Sequence, residues 1–194
     1  MKFIRLKSKN DKYFDETMKI YECSFPIFEQ RVLKDQDEVF EHNDYHADII
    51  CEEDTLVGLL FYWKYDFKGS EFVYIEHLAI SPELRGKNYG SKILTEFCKD
   101  NPNTILEIDE PIDELSIKRL KFYSNLGFKL QQFNHIHPPY RKGFDGHSLK
   151  IMSFGRNLLD EEYNKFNEFL KYTVMKYSEA VSYTHLTLPT IRLV

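Results

Sequence analysis

The segment from Arg85 to Ser91 contains the residues best suited to chemistry, because two glycines and two basic side chains directly follow an apolar strand and open a helix. Gly86 and Gly90 permit a turn whose backbone N–H groups point at one spot. The helix start adds unpaired N–H donors and the positive end of its dipole. Because Arg85 and Lys87 add full positive charges, this segment predicts an anion site that would hold two adjacent phosphates.

Two familiar phosphate-binding motifs do not fit this segment. The Walker pattern requires Ser or Thr after Gly-Lys, whereas Asn88 follows Gly86 and Lys87. The dinucleotide fingerprint requires three spaced glycines inside a parallel βαβ unit, whereas the strands before Arg85 are predicted to form an antiparallel meander. The predicted phosphate site therefore belongs to another class.

The elements that position this segment follow from the periodicity of apolar residues. The predicted strands are Met1–Lys7, Ala47–Glu52, Thr55–Tyr65, Phe72–Ile80, Thr104–Ile108, Phe128–Asn134 and Ser148–Phe154. The predicted helices are Asp11–Cys23, Glu29–His42, Asn88–Asp100, Asp113–Leu126 and Leu158–Lys176. Their order predicts a mixed α+β domain over residues 1–178. The remaining residues, 179–194, differ in composition and are expected to be a non-native read-through tail.

Composition excludes several classes of protein. The 194 residues have 15% aromatic side chains and a net charge of −5, which argues against disorder and against general nucleic-acid binding. The longest apolar run, Leu56–Trp63, is far shorter than the roughly 20 residues of a membrane-spanning helix. Three widely spaced cysteines suggest no disulfide framework, and no secretory signal is evident. A cytoplasmic protein is therefore expected.

A second motif, Lys121–Phe128, allows a family to be named. It places Phe122 and Tyr123 on a helix that ends at Gly127. Together with the ends of the first motif, Arg85 and Gly90, this pattern resembles the GNAT superfamily of acyl-CoA-dependent N-acyltransferases. Asn88 stands where the family's motif has its first glycine, although Asn tolerates left-handed backbone better than most residues.

The resemblance covers roughly Met1 to Phe154 and implies a fold and a reaction. The fold is a mixed, mostly antiparallel central sheet of about six to seven strands flanked by helices, with a V-shaped splay between strands four and five. The reaction moves an acetyl group from acetyl-CoA to a primary amine by direct attack in a ternary complex. The implied cofactor-binding residues are Leu78, Ile80, Arg85, Gly86, Lys87, Asn88, Tyr89, Gly90, Ser91 and Ser116, the last standing where the family often has Asn.

The resemblance also implies catalytic residues. Tyr123 occupies the position of the family's helix tyrosine and would protonate the departing thiolate, or would only pack on the core. Glu76 is the predicted base, with a pKa raised by partial burial, or else a salt-bridged strand residue. His77 stays an alternative because a β-bulge can change which neighbour faces the groove. Glu107 and Asp109, on the next strand, are weaker candidates for substrate contact and are expected to be solvated charges at a strand end.

Five further residues have weaker patterns. His135, His137 and His147 are expected to form a substrate-side loop rather than a metal site, because their spacing is not diagnostic. Trp63 and Tyr65 are expected to pack in the core or at an edge rather than to line the acceptor pocket.

The expected partner is an amine, on a small molecule or a protein, with no nucleic acid or membrane, and the chain is expected to be a monomer or homodimer. The alternative function is a non-catalytic acyl-CoA-binding sensor, which would keep the Arg85–Ser91 segment and tolerate the loss of Tyr123 and Glu76.

Overall fold

The computed structural model describes residues 1–180, so the predicted tail lies almost entirely outside the described residues. The strands are β1 (Lys2–Leu6), β2 (Tyr45–Glu52), β3 (Thr55–Phe67), β4 (Ser70–Ile80), β5 (Thr104–Asp109), β6 (Phe128–Leu130), β7 (His135–His137) and β8 (His147–Phe154). The helices are α1 (Phe14–Ser24), α2 (Leu33–Phe40), α3 (Tyr89–Asp100), α4 (Glu114–Asn125) and α5 (Asp160–Tyr172). Short 3-10 turns cover Ile27–Glu29, Pro82–Leu84 and Val174–Tyr177.

The predicted fold class is confirmed. The described strands form one sheet of eight, in the order β1-β2-β3-β4-β5-β8-β6, with β7 also paired to β8. Within it β4 and β5 are parallel, and the other recorded pairs are antiparallel. A parallel pair requires a crossover, and α3 supplies it between β4 and β5.

The parallel pair is short. It extends over three residue pairs, from Val73 and Thr104 to Ile75 and Leu106. Both strands continue beyond the last pair, β4 to Ile80 and β5 to Asp109, without pairing further with each other. This is the pairing that a V-shaped splay would require, and the splay itself stays a prediction.

Both faces of the sheet are buried. Side chains alternate along the long strand β3, so neighbouring residues enter different cores. Phe61 and Trp63 belong to a core that includes residues of α1, α2 and α5, and Tyr62 belongs to a second core against α3. Trp63 is completely buried and Tyr65 is 8% exposed, so the expectation that both pack in the core is confirmed. No helix within residues 1–180 is both long and apolar enough to cross a bilayer.

The predicted helix Glu29–His42 is wrong in its first part. The chain forms a 3-10 turn to Glu29, passes through extended backbone at Gln30 and Val32, and starts α2 only at Leu33. The Gln30 side chain donates to the carbonyl oxygen of Phe25 at 2.6 Å, just past the end of α1. The backbone N–H of Arg31 donates to the hydroxyl of Tyr21 at 3.0 Å. These side-chain contacts replace the backbone bonds of a continuous helix.

The predicted strand Phe128–Asn134 is also too long. β6 ends at Leu130, and the chain then forms β7, whose His135 and His137 pair with Leu149 and His147 of β8. His135 and His137 therefore lie on a buried strand rather than in the expected polar loop.

Candidate functional site

A cavity of about 690 Å³ opens between the ends of β4 and β5, where the two strands no longer pair with each other. Its walls include Leu78 and Ile80 of β4, Leu106 of β5, Tyr123 of α4 and Glu29 of the first 3-10 turn. The cavity therefore lies at the carboxyl ends of the two parallel strands, directly beside the chain that leads from β4 into α3.

The Arg85–Ser91 segment forms the expected bend before α3. Gly86 has φ 77°, and Asn88 has φ 63° and ψ 16° at the N-cap of α3, which is left-handed backbone. The Arg85 guanidinium donates to the carbonyl oxygen of Ile80 at 3.1 Å and to the hydroxyl of Ser24 at 2.9 Å, and the residue lines the cavity. A Cβ on Gly90 would lie 3.3 Å from the ring of Phe122, so the helix start packs closely against α4.

The left-handed backbone at Asn88 gives a stability prediction. Asn88→Val should lower the free energy of unfolding by about 1–2 kcal/mol, because a β-branched side chain is strained there. Asn88→Gly should change it by less than about 0.5 kcal/mol, since glycine adopts this backbone freely. Urea denaturation measures both, with Thr95→Val at an exposed position inside α3 as the control. Equal stability of the Val and Gly variants would contradict the strained backbone.

Tyr123 lies half-buried on α4 and lines the cavity. Its ring meets those of Phe122 and Phe128 edge-on, at centroid distances of 5.1 and 5.7 Å. Its hydroxyl forms no hydrogen bond with residues 1–180. Burial raises the pKa of the phenol, partly offset by Arg119. The hydroxyl is therefore protonated at neutral pH and free to donate into the cavity.

Glu76 lies at a β-bulge, between the register pairs that His77 and Ile75 make with β3. Its side chain is fully buried and accepts hydrogen bonds from Arg31 at 2.8 and 2.5 Å, Trp63 at 3.1 Å and Tyr140 at 2.6 Å.

The expectation of a raised pKa for Glu76 is wrong. Burial alone would raise the pKa, but the charge of Arg31, helped by contacts with His77, lowers it far below its usual range. A carboxylate that is fully paired and reluctant to take a proton is a poor base. The ion pair with Arg31 therefore disfavours the predicted base role.

The bulge brings His77 to the same cavity as Glu76, rather than leaving only one of them facing it. The ring packs against Tyr21 and Phe25, and Nε2 lies 3.0 Å from the carbonyl oxygen of Glu29. Because a carbonyl only accepts, Nε2 carries the proton in this contact. The other nitrogen, Nδ1, lies 3.7 Å from the Glu76 carboxylate.

Glu107 is not the solvated charge that was expected. Its side chain is 7% exposed and bonds to Nε2 of His135 and, at 2.5 Å, to the hydroxyl of Tyr74. Burial alone would raise its pKa, but His137 and His135 lower it. Asp109 is 47% exposed, as expected of a strand end, and pairs with Arg119.

Ser116 does not offer a free hydroxyl to a cofactor. It is 3% exposed, and its Oγ accepts from the backbone N–H of Asp113 at 3.1 Å within a capping box at the start of α4. The structure therefore uses this side chain to begin the helix that presents Tyr123.

A sequence model described as the acetyltransferase (GNAT) family matches residues 12–128. YjbC of Bacillus subtilis (strain 168), assigned as an acetyltransferase, is 28% identical over 111 residues, which cover 56% of this chain and 54% of YjbC. The chain thus spans about half the length of that curated relative. A Bacteroides thetaiotaomicron structure assigned to the GNAT acetyltransferases has a TM-score of 0.82 at 29% identity, covering 90% of this chain and 98% of the other.

A more distant solved structure, a Bacillus subtilis acetyltransferase in complex with CoA, has a TM-score of 0.56 at 16% identity and covers 81% of this chain and 99% of the other. At that identity the likeness concerns the fold alone. The family match extends over more than half of the sequence and includes the bend before α3 and the tyrosine of α4. This chain therefore belongs to the acetyltransferase (GNAT) family.

Proposed function

We propose that the protein transfers an acetyl group from acetyl-CoA to a primary amine. The observation that carries the proposal is the bend Arg85–Ser91, in which Asn88 has left-handed backbone at the N-cap of α3 and Arg85 lines the cavity. Backbone N–H groups at such a bend and helix start bind phosphate groups. The pyrophosphate of the acyl donor suits this bend. The end of β4 at Leu78 and Ile80, which lines the cavity and is not paired with β5, suits its pantetheine arm. The CoA complex of the more distant relative supports this assignment.

Tyr123 and Glu76 have separate roles in the proposed reaction. The amine loses a proton to water, and its nitrogen bonds to the acetyl carbonyl carbon. The carbon–sulfur bond breaks, and Tyr123 donates its proton to the departing sulfur. The nitrogen then gives a second proton to Tyr123, which restores the phenol. The products are one amide, one thiol and the proton released to water. Glu76 holds the cavity wall through Arg31 rather than taking the proton.

The second candidate function is a non-catalytic acyl-CoA sensor. One observation favours it: the carboxylate of Glu76, the predicted base, already accepts hydrogen bonds from Arg31 and Tyr140. Thiol release from acetyl-CoA over a panel of primary amines separates the two functions. Turnover supports the transferase, whereas tight CoA binding without thiol release for any amine supports the sensor.

Lys87 tests the proposed diphosphate site. Lys87→Ala should weaken CoA binding about fivefold, because a charge near a helix start contributes up to about 1 kcal/mol. Calorimetric titration with CoA measures this, and Lys171→Ala, at an exposed cation on α5, is the control. Equal affinities of the two variants would contradict the placement of the diphosphate at the bend.

A further inference from the structure

Four carboxylates line the cavity, and three of them are already paired. Glu76 is held by Arg31, Glu107 by His135, and Asp109 by Arg119. The fourth, Glu29, lies at the end of the 3-10 turn that covers the cavity. Glu29 is therefore the lining carboxylate that remains available to a ligand.

The surroundings of Glu29 leave its carboxylate incompletely satisfied. The side chain is 30% exposed, and within residues 1–180 it accepts no hydrogen bond. Nε2 of His147 lies 3.7 Å from the carboxylate and has no hydrogen-bond partner of its own within residues 1–180. Burial raises the pKa of Glu29, while His77 and His147 lower it. A cationic donor entering the cavity would relieve the cost of this partly desolvated carboxylate.

Beyond Asp109 and His147, whose polar atoms lie within 4.8 Å of the Glu29 carboxylate, part of the cavity lining is apolar. Phe28 precedes it on the same turn and lines the cavity, and its ring meets Phe144, which is 44% exposed, at a centroid distance of 5.8 Å. Leu115, which is 67% exposed, and Leu149 line the same cavity. The body of a ligand bound at Glu29 would therefore contact aromatic and aliphatic side chains. Asp109 already forms an ion pair with Arg119.

We infer that the acceptor is a primary monoamine with an apolar body, whose ammonium group binds Glu29 and whose body packs against Phe28 and Leu115. The inference rests on the proposed acetyl transfer and names its substrate class. A diamine of the same length would have to desolvate a second ammonium against apolar side chains without a free carboxylate to receive it. The cavity thereby discriminates against polyamines.

Hexylamine and 1,6-diaminohexane are the matched probes, because they share length and reacting group and differ by one charge. Thiol release from acetyl-CoA should give hexylamine a kcat/KM at least tenfold higher. Glu29→Gln should raise the KM for hexylamine about 10–100-fold, the range of a charge-assisted hydrogen bond. It should leave kcat within about threefold and CoA affinity unchanged. Glu22→Gln, at an exposed acid on α1 outside the cavity, should leave all three values unchanged.

Leu115→Ser tests the apolar body separately, at a side chain that is 67% exposed. It should lower kcat/KM for hexylamine about fivefold and leave that for ethylamine unchanged, because only the longer chain reaches this side chain. An equal KM for hexylamine in Glu29→Gln and wild type, or a preference for the diamine, would overturn the inference while leaving acetyl transfer intact. Absence of thiol release from the wild type with every amine would overturn both.

Discussion

Replacing Arg31 by alanine is expected to lower the free energy of unfolding by about 3–5 kcal/mol, as is typical when one partner of a buried ion pair is removed. The fully buried guanidinium donates to both carboxylate oxygens of Glu76 and to the carbonyl oxygens of Val174 and Tyr177. Urea denaturation can be followed through Trp63, the sole tryptophan, because its indole N–H donates to the same carboxylate.

The loss should depend on pH. In the wild type Arg31 lowers the pKa of Glu76, so the stabilisation is present above the ordinary value of 4.5 and is lost as the pH falls toward the folded pKa. Without Arg31, burial raises the pKa of Glu76, and the folded variant then gains from protonation. The deficit of Arg31→Ala should therefore be larger at pH 7 than at pH 4.

Two further variants separate an unpaired charge from lost packing. Adding Glu76→Gln to Arg31→Ala should recover part of the stability at pH 7, because it removes the uncompensated carboxylate. Lys118→Ala, which removes an exposed ion pair with Glu114 on α4, should cost less than about 0.5 kcal/mol. The buried ion pair would be contradicted if Arg31→Ala lowered the free energy of unfolding no more than Lys118→Ala does. It would also be contradicted if the loss were the same at pH 7 and pH 4.

The features of the site that the sequence predicted are those whose local structure is determined by residues close together in the sequence. The bend before α3 follows from the glycines and basic residues that interrupt an apolar pattern, and Asn88 indeed adopts left-handed backbone. Tyr123 reaches the cavity because the spacing of apolar residues fixes its face of α4. Gly127, at φ 96°, ends that helix as expected.

The parts that the sequence did not predict depend on contacts between distant residues. Arg31 stood within a predicted helix, and its pairing with Glu76, 45 residues away, becomes visible only when the 3-10 turn packs on β4. The bulge at Glu76 was one of the alternatives but could not be placed from the sequence, because no glycine or proline marks it. Glu107 was predicted to be solvated because β7, which covers it with His135 and His137, was missed.

Tyr123→Phe is expected to lower kcat about 10²–10³-fold, the usual contribution of a positioned general acid. The variant keeps the ring that packs between Phe122 and Phe128 and loses only the hydroxyl, which has no partner within residues 1–180. Unfolding free energy and CoA affinity should therefore match the wild type. Tyr172→Phe, at a 78% exposed tyrosine on α5, should leave kcat unchanged.

The pH profile gives an independent reading of the same residue. Because burial raises the pKa of Tyr123 above its ordinary value of 10.0, the phenol stays protonated, and the alkaline decline in kcat due to its ionisation should begin above pH 10. That decline should disappear in Tyr123→Phe, because the variant has no phenol to ionise. Stopped-flow thiol release between pH 7 and pH 11, with hexylamine as acceptor, measures both effects. A variant with wild-type kcat across this range would remove Tyr123 from the chemical step and leave it a packing residue of α4.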